Sequence, residues 1–365
     1  MATRRKFVVQ AAALGAAPFI STRVTRALAA ASKEKLGFAL CGLGSLSTHQ
    51  IAPALRKTAH CRLAGIITGT PAKAARWQAE YNIPSRNIYN YETMHRIADN
   101  EDIDVVYVVT PNAIHLDNAL VAAKAGKHVF CEKPMEISVA RCQQMIDAVK
   151  AADRLLGIGY RCRFEPHHLE CVALARERHF GTVKLIDAHF GFNIPPGVWR
   201  LKQDLAGGGP LMDVGIYCLQ ATRYISGEEP TWVSATTTTG DATRFSEVEE
   251  SVVWESRFPA GTVSHCSSSY AADSVGYFRV LAEQGWFGLD PAFNYGGLKG
   301  LRSDGREINP AASDQFAVEM DDFARCILDK TPTRVPGEEG LRDVRIMMAI
   351  YESARSGRPV ELSKA

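Results

Sequence analysis

The amino-acid sequence predicts an α/β chain, with a parallel, doubly wound sheet in the first half and an α+β second half. Three observations lead there. Short apolar runs alternate with helical stretches from Leu36 to about residue 158, and a glycine-rich turn joins the first run to the first helix. Later runs, at 182–192, 231–239, 248–258 and 261–269, are rich in Thr, Val and aromatics, alternate in places, and are followed by two helices. The length of 365 residues suits two domains at roughly 150 residues each, and 46% of the chain is hydrophobic. A balance of 42 basic against 40 acidic residues excludes a disordered tail protein and a duplex-coating nucleic-acid binder.

The charge is unevenly placed. Five basic residues (Arg4, Arg5, Lys6, Arg23, Arg26) and no acidic ones lie in residues 1–31, so the remainder carries −3 rather than the overall +2. An uncharged run from Phe7 to Thr22 follows the arginine pair, and Ala29-Ala30-Ala31 offers a small-residue cleavage site. That layout predicts a twin-arginine signal peptide over 1–31, export of the folded chain to the periplasm, and no membrane association after cleavage. The uncharged run is 16 residues long, short of the ~20 needed for a span. The nine cysteines include no Cys-x-x-Cys pair and mostly lie in apolar runs. Buried, unpaired thiols are expected, with no metal site.

The first-half elements follow in order. Leu36–Cys41 reads as a buried strand running into Gly42-Leu43-Gly44-Ser45-Leu46-Ser47, and a helix is expected over 48–57. Gly42 would make the turn, and Gly44 would let the backbone approach a pyrophosphate at the helix start, with Ser45 and Leu46 beside it. Ser47 stands where a third glycine is usual. Further strands are expected at 63–67, 105–109, 129–131 and 155–158, with helices near 71–81, 91–99, 115–125 and 138–152. The second strand ends at Thr68-Gly69-Thr70. No acidic residue lies between Gly42 and Glu80 to hold a ribose 2′-hydroxyl, whereas Lys73 and Arg76 follow the strand. NADP is therefore favoured over NAD. The alternative is that both cations merely decorate an exposed helix.

Reactive groups in open α/β sheets gather at the carboxyl ends of strands. Two such ends are rich here: Thr110-Pro111-Asn112, with His115 just beyond, and Glu132-Lys133-Pro134. Spacing alone is equally compatible with Lys133 beside a nicotinamide and with a surface lysine in a turn. Gly207-Gly208-Gly209 leads into a helix on which Asp213 and Tyr217, four apart, share a face. If that face meets Lys133, a lysine–phenol pair results, in which a cation within ~4–6 Å lowers the phenol pKa by ~1–3 units. A helix-start Asp and a core Tyr are the bland alternative.

Glu132-Lys133-Pro134-Met135, Ile158-Gly159-Tyr160-Arg161-Cys162 and Trp199-Arg200-Leu201 resemble the Gfo/Idh/MocA oxidoreductases. So does the run Gly207-Gly208-Gly209-Pro210-Leu211-Met212-Asp213-Val214-Gly215-Ile216-Tyr217. Within that family the chain is most similar to the glucose–fructose and aldose–aldose oxidoreductase subgroup. The resemblance covers essentially everything after the signal. It implies a Rossmann domain over 32–160 and a domain with a large, mostly antiparallel open sheet over 161–365, whose last helices pack back on the first. It implies Lys133, Asp213 and Tyr217 as the catalytic group, and Tyr160 with Arg161 lining a sugar site. Arg161, Glu132, His115, Trp199 and Arg200 join the expected cofactor-binding residues. The activity implied is oxidation of an aldose at C1 to a lactone and reduction of a second sugar to an alditol, by ping-pong exchange on a tightly bound NADP. Substrates would be monosaccharides or oligosaccharides, and the expected assembly is a homo-oligomer through the C-terminal sheet. Two rivals are an NADP-dependent aldose dehydrogenase with exchangeable cofactor and, more distantly, a non-catalytic sugar- or nucleotide-binding protein.

Overall fold

The computed structural model describes residues 35–362, so the predicted signal peptide lies outside the described residues. Six strands form the first sheet: β1 (Leu36–Cys41), β2 (Cys61–Ile67), β3 (Ile88–Tyr89), β4 (Val105–Val108), β5 (His128–Glu132) and β6 (Leu156–Gly159). Their order is β3-β2-β1-β4-β5-β6 and every pairing is parallel. β1, β4 and β6 are buried along their whole length, as strands covered on both faces should be. The predicted helix over 71–81 is observed at Pro71–Tyr81, and that over 138–152 at Val139–Ala151, where Ser138 caps the N-terminus. Two details differ. The two-residue strand β3 is too short for a periodicity to reveal it, and residues 91–99 yield only a 3₁₀ segment, Met94–Asp99.

The second sheet has nine strands: β7 (Val183–Gly191), β8 (Trp232–Thr238), β9 (Ser251–Arg257), β10 (Val263–Ser269), β11 (Val275–Ala282), β12 (Gly285–Leu289), β13 (Gly300–Arg302), β14 (Glu307–Ile308) and β15 (Val360–Glu361). They lie in the order β14-β13-β12-β11-β7-β10-β9-β8-β15, antiparallel except for the β7–β10 pair. Burial alternates along β9 and β10, so one face is covered and the other meets solvent.

A single hydrophobic core runs through both sheets. The end of the chain causes this, because helices Gln315–Asp329 and Gly337–Ser356 return to the first sheet. Phe323 packs on Phe130 of β5 with ring centroids 4.8 Å apart, and Ile158 of β6 donates its N–H to Val335 O at 2.9 Å. Among the described residues no helix is long and apolar enough to cross a membrane. All nine cysteines are unpaired, and only Cys326 is not buried.

The last long helix is also tied to helix Ile216–Ser226 by charge. Buried Arg223 donates to Asp343 Oδ1 at 2.6 Å and to both oxygens of Glu229, while Gln220 donates to Asp343 Oδ2 at 2.8 Å. Burial pushes the Asp343 carboxyl up to about 6 against the pull of Arg223. Arg223→Met would strand that carboxylate, at a cost of about 3–5 kcal/mol in urea unfolding. The sign of its pH dependence follows from the raised carboxyl, because the folded state keeps the proton to higher pH than the unfolded chain. The deficit should therefore be smallest in acid and grow as pH rises above about 6, where the unmodified protein's Asp343 ionises beside Arg223 while the variant's carboxyl keeps its proton.

Candidate active site

The strand order reverses between β1 and β4, and a cleft of about 960 Å³ opens at the carboxyl ends of those strands. Gly42 has φ +98°, a conformation L side chains rarely adopt, and a Cβ there would stand 2.6 Å from Val109 O. The buried Ser47 hydroxyl donates to Gly42 O at 2.6 Å, so the serine that replaces a third glycine also pins the turn. At Gly44 the opposite holds: a Cβ would meet nothing within 4 Å. This is open space over backbone at the start of a helical segment, the cradle a pyrophosphate needs. The residues fit a dinucleotide. Ser45, Leu46, Thr68, Gly69, Lys73, Thr110, Pro111 and Asn112 line the same cleft, and no acidic residue lines it at the end of β2.

Two elements far apart in sequence bring the reactive groups together. Lys133 follows β5, and Asp213 lies in the turn Leu211–Gly215 that leads into the helix bearing Tyr217. Lys133 Nζ donates to Asp213 O at 2.6 Å and lies 3.5 Å from Asp213 Oδ1. The same nitrogen sits 4.7 Å from the centroid of the Tyr217 ring. Asp213 Oδ2 also accepts from Tyr270 Oη at 3.0 Å and pairs with Arg200 Nε at 3.0 Å. Against the upward push of burial, Arg200 and Lys133 hold the Asp213 carboxyl below its ordinary value. It is therefore ionised at neutral pH.

The glycine run is braced from below. Gly207 ends helix Gln203–Ala206 in the left-handed region at φ +77°. Half-buried Glu249 accepts the N–H groups of Gly209 at 2.9 Å and Leu211 at 3.2 Å, and the Tyr351 hydroxyl at 2.8 Å. Asn112 Nδ2 donates to Ala206 O at 2.8 Å and so ties the end of β4 to this run.

Glu132, Lys133, Arg161, Trp199, Arg200, Asp213 and Tyr217 all line the cleft. Three expectations need correction. Tyr160 is 1% exposed and belongs to the core, its hydroxyl acted on by Asp343 rather than open to the cleft. The turn after β6 sends Arg161 into the cleft and its neighbour inward. His115 is a buried brace instead of a cofactor contact, bridging Thr110 O at 2.7 Å and Pro134 O at 3.1 Å and thereby joining the loops after β4 and β5. The phenol is the third. Lys133 lies over the Tyr217 ring, and the hydroxyl accepts instead from Arg161 Nε at 3.1 Å. Burial pushes the Tyr217 phenol up, with Arg161 the leading opposing influence. Sequence reasoning also missed Tyr270, Glu249 and the segment 293–295 that supplies Tyr295 to the cleft wall, and local spacing carried no signal for them. Arg200, expected on the cofactor, is engaged with Asp213. Among the described residues no three His, Cys, Asp or Glu side chains are placed to hold a metal ion.

Comparison with known proteins agrees with this architecture. A profile described as "Oxidoreductase family, NAD-binding Rossmann fold" matches residues 36–160, and the GFO/IDH/MocA C-terminal domain profile matches residues 168–288. The crystal structure of an aldose–aldose oxidoreductase from Caulobacter crescentus, complexed with glycerol, is 44% identical with a TM-score of 0.87, covering 90% of this chain and all of that one. D-xylose 1-dehydrogenase [NADP(+)] of Haloarcula marismortui is 30% identical over 91% of this chain and 94% of its own. A second D-xylose 1-dehydrogenase (NADP(+)), from Haloferax volcanii, is also 30% identical, over 89% and 99% of the two chains.

The turn geometry makes a direct prediction. Gly44→Val should leave the unfolding transition unchanged, because the side chain projects into open space. It should weaken NADPH binding roughly tenfold or more, ~1.4 kcal/mol, in a fluorescence titration. Equal affinity would show that the pyrophosphate does not sit on this turn.

Proposed function

The chain belongs to the Gfo/Idh/MocA oxidoreductase family, and on that premise we propose that it oxidises an aldose at C1 to the lactone with NADP and passes the hydride to a second sugar. One observation carries the reading: Lys133, Asp213 and Tyr217 converge at one end of the cleft that begins at the Gly42–Gly44 turn. When bound, NADP supplies the hydride acceptor and donor of the two half-reactions. Tyr217 Oη takes the C1 hydroxyl proton in the oxidative half and returns a proton to the carbonyl oxygen of the second sugar in the reductive half. The Asp213 carboxylate, ionised and held by Tyr270 and Arg200, accepts a neighbouring sugar hydroxyl and fixes the angle of approach. The Lys133 ammonium, anchored on Asp213 O, offers its remaining hydrogens to the substrate oxygen.

Thr68 and Lys73 at the end of β2, with no carboxylate beside them in the cleft, support NADP over NAD. The twin-arginine leader supports a periplasmic site of action. A cofactor loaded before export would have no external supply, so it would stay bound and be recycled, the first product leaving before the second sugar enters. Identity of 44% to an aldose–aldose oxidoreductase favours that reading. The second reading is an NADP-dependent aldose dehydrogenase that exchanges cofactor each turnover, favoured by the two xylose dehydrogenase relatives.

Denaturing protein purified without added nucleotide should release NADP(H), and the native protein should convert paired sugars with none supplied. Protein that releases no nucleotide and needs NADP for every turnover is the dehydrogenase. Tyr217→Phe should lower turnover by roughly 10²–10⁴-fold in either case. An unchanged rate would remove Tyr217 from the chemistry.

A further inference from the structure

Arg161 is a cation with no anion of its own. It is 3% exposed, and its hydrogen bonds go to neutral acceptors: Phe293 O at 2.6 Å, Gln315 Oε1 at 2.8 Å, Asn294 O at 3.3 Å and Tyr217 Oη at 3.1 Å. Among the described residues no carboxylate oxygen lies within 4.0 Å of it, whereas the buried Arg223 has three carboxylates around it and the buried Arg302 pairs with Asp304. A buried guanidinium stays protonated, so with no ion pair its charge is met by neutral dipoles and acts on the nearby groups that can become anions: Tyr217, Cys162 and, farther off, the buried carboxyls of Glu132 and Glu319. Among its hydrogen-bond partners only Tyr217 can lose a proton.

We propose that Arg161 is the positioning residue that makes Tyr217 a usable base, by supplying the counter-charge for its phenolate, and that Lys133 serves the substrate side instead. This rests on the reading of Tyr217 as the proton acceptor, and it assigns the two cations separate tasks. The geometry divides them. Arg161 Nε points at the oxygen where negative charge would develop, while Lys133 lies over the ring with its nearest bond to Asp213 O at 2.6 Å. Arg161 is also held flat between two rings, 4.5 Å from the Tyr217 centroid and 4.8 Å from that of Tyr295. It therefore cannot follow a moving substrate, and a fixed donor at the site of developing charge is what stabilises an anion without reorganisation.

The groups facing Tyr217 act in both directions. Arg161 and Lys133 favour the phenolate, while Glu132 at the end of β5 and Cys162 beside Arg161 oppose it. Asp213 lies one turn before it on the same helical segment, and Tyr295 faces it across Arg161. Phe190 and Phe293 complete the walls and carry no charge. Cys162 shares the field of Arg161 but also interacts with His168. Burial holds the phenol above its ordinary value even with Arg161 opposing it, so without the guanidinium it would lie higher still.

Gln315 provides a test that keeps Arg161 in place. Gln315→Glu would put a carboxylate on the guanidinium at the position of Oε1, adding an ion pair where there is now a neutral bond. If Arg161 only fills space, this variant should leave Tyr217 unaffected. The readout is the ultraviolet absorbance of tyrosinate during a pH titration, subtracting the same titration of Tyr217→Phe. The unmodified protein should show a Tyr217-dependent step, and Gln315→Glu should move it upward by about one pH unit or more. The acid limb of the oxidation rate should move with it. A step that stays put in Gln315→Glu, or no such step in the unmodified protein up to about pH 11, overturns the assignment of Arg161. Lys133→Met supplies a second check and should move the step less than Gln315→Glu; a larger movement there would return the role to the lysine. If the step moves in Gln315→Glu while Tyr217→Phe keeps its oxidation rate, the pairing stands and the reading of Tyr217 as the base fails.

Discussion

Everything at this site depends on one contact between the two sheets, the bond from Lys133 Nζ to the backbone oxygen of Asp213. The two residues are 80 positions apart, one after β5 of the first sheet and the other in the helical turn before helix Ile216–Ser226, which packs against β7 and β10 of the second. Neither sheet contains a complete site. The single core through both sheets therefore has a chemical consequence, because it holds the lysine and the helix at a fixed separation. The returning C-terminal helices enforce this with Phe323 against β5, Val335 against β6 and Tyr351 on the carboxylate that braces the glycine run. A displacement of 1 Å between reacting groups can cost about a hundredfold in rate. On this argument the C-terminal segment, the two helices and the link between them that carries Val335, belongs to the construction of the cleft.

Much of this was legible before the structure, and the reason is topological. In an open parallel sheet the strand ends are where side chains from many elements converge, so the strand pattern pointed to Gly42 and Thr110, whereas for Lys133 it left a nicotinamide neighbour and a surface turn equally open. The i, i+4 spacing of Asp213 and Tyr217 placed both on one helix face in the same way. Resemblance supplied their meeting with Lys133. What could not be read was the direction of a side chain in an irregular turn. At Tyr160-Arg161, just past β6, the strand alternation no longer applies, and adjacent residues diverge into core and cleft. Tyr270 and Glu249 flank second-sheet strands that cross near the site only after folding. The same is true of Gln315, whose partner Arg161 is 154 positions away. Long-range contacts of this kind leave no local period.

The cysteines follow the same logic of enclosure. Eight of the nine are buried and unpaired, and burial pushes thiols such as Cys131, Cys171 and Cys218 well above their ordinary value. The thiolate is the reactive form, so these groups are chemically quiet. A chain with such a core would tolerate an oxidising compartment if it arrived there folded, as the export route proposed above would have it. Cys162 is the exception, and its cause is the same guanidinium that bonds Tyr217, together with His168: against burial they hold the thiol down.

That exception shows how far one unmatched charge reaches. Arg223 and Arg161 are both buried, yet they serve different ends. Arg223 is neutralised by Asp343, Glu229 and Glu339, and its field is spent on fastening two helices. Arg161 has no carboxylate at ion-pair distance, so its field extends to the phenol and the thiol beside it and to the buried carboxyls of Glu132 and Glu319. Burying a guanidinium without a carboxylate is costly, and the same core could have been held with an apolar side chain. The cost is intelligible where an anion must form transiently nearby, because a partner already ionised would cancel the pull. Leaving Arg161 without a carboxylate is thus a condition for Tyr217 to ionise, and it explains why its remaining acceptors are an amide and backbone carbonyls.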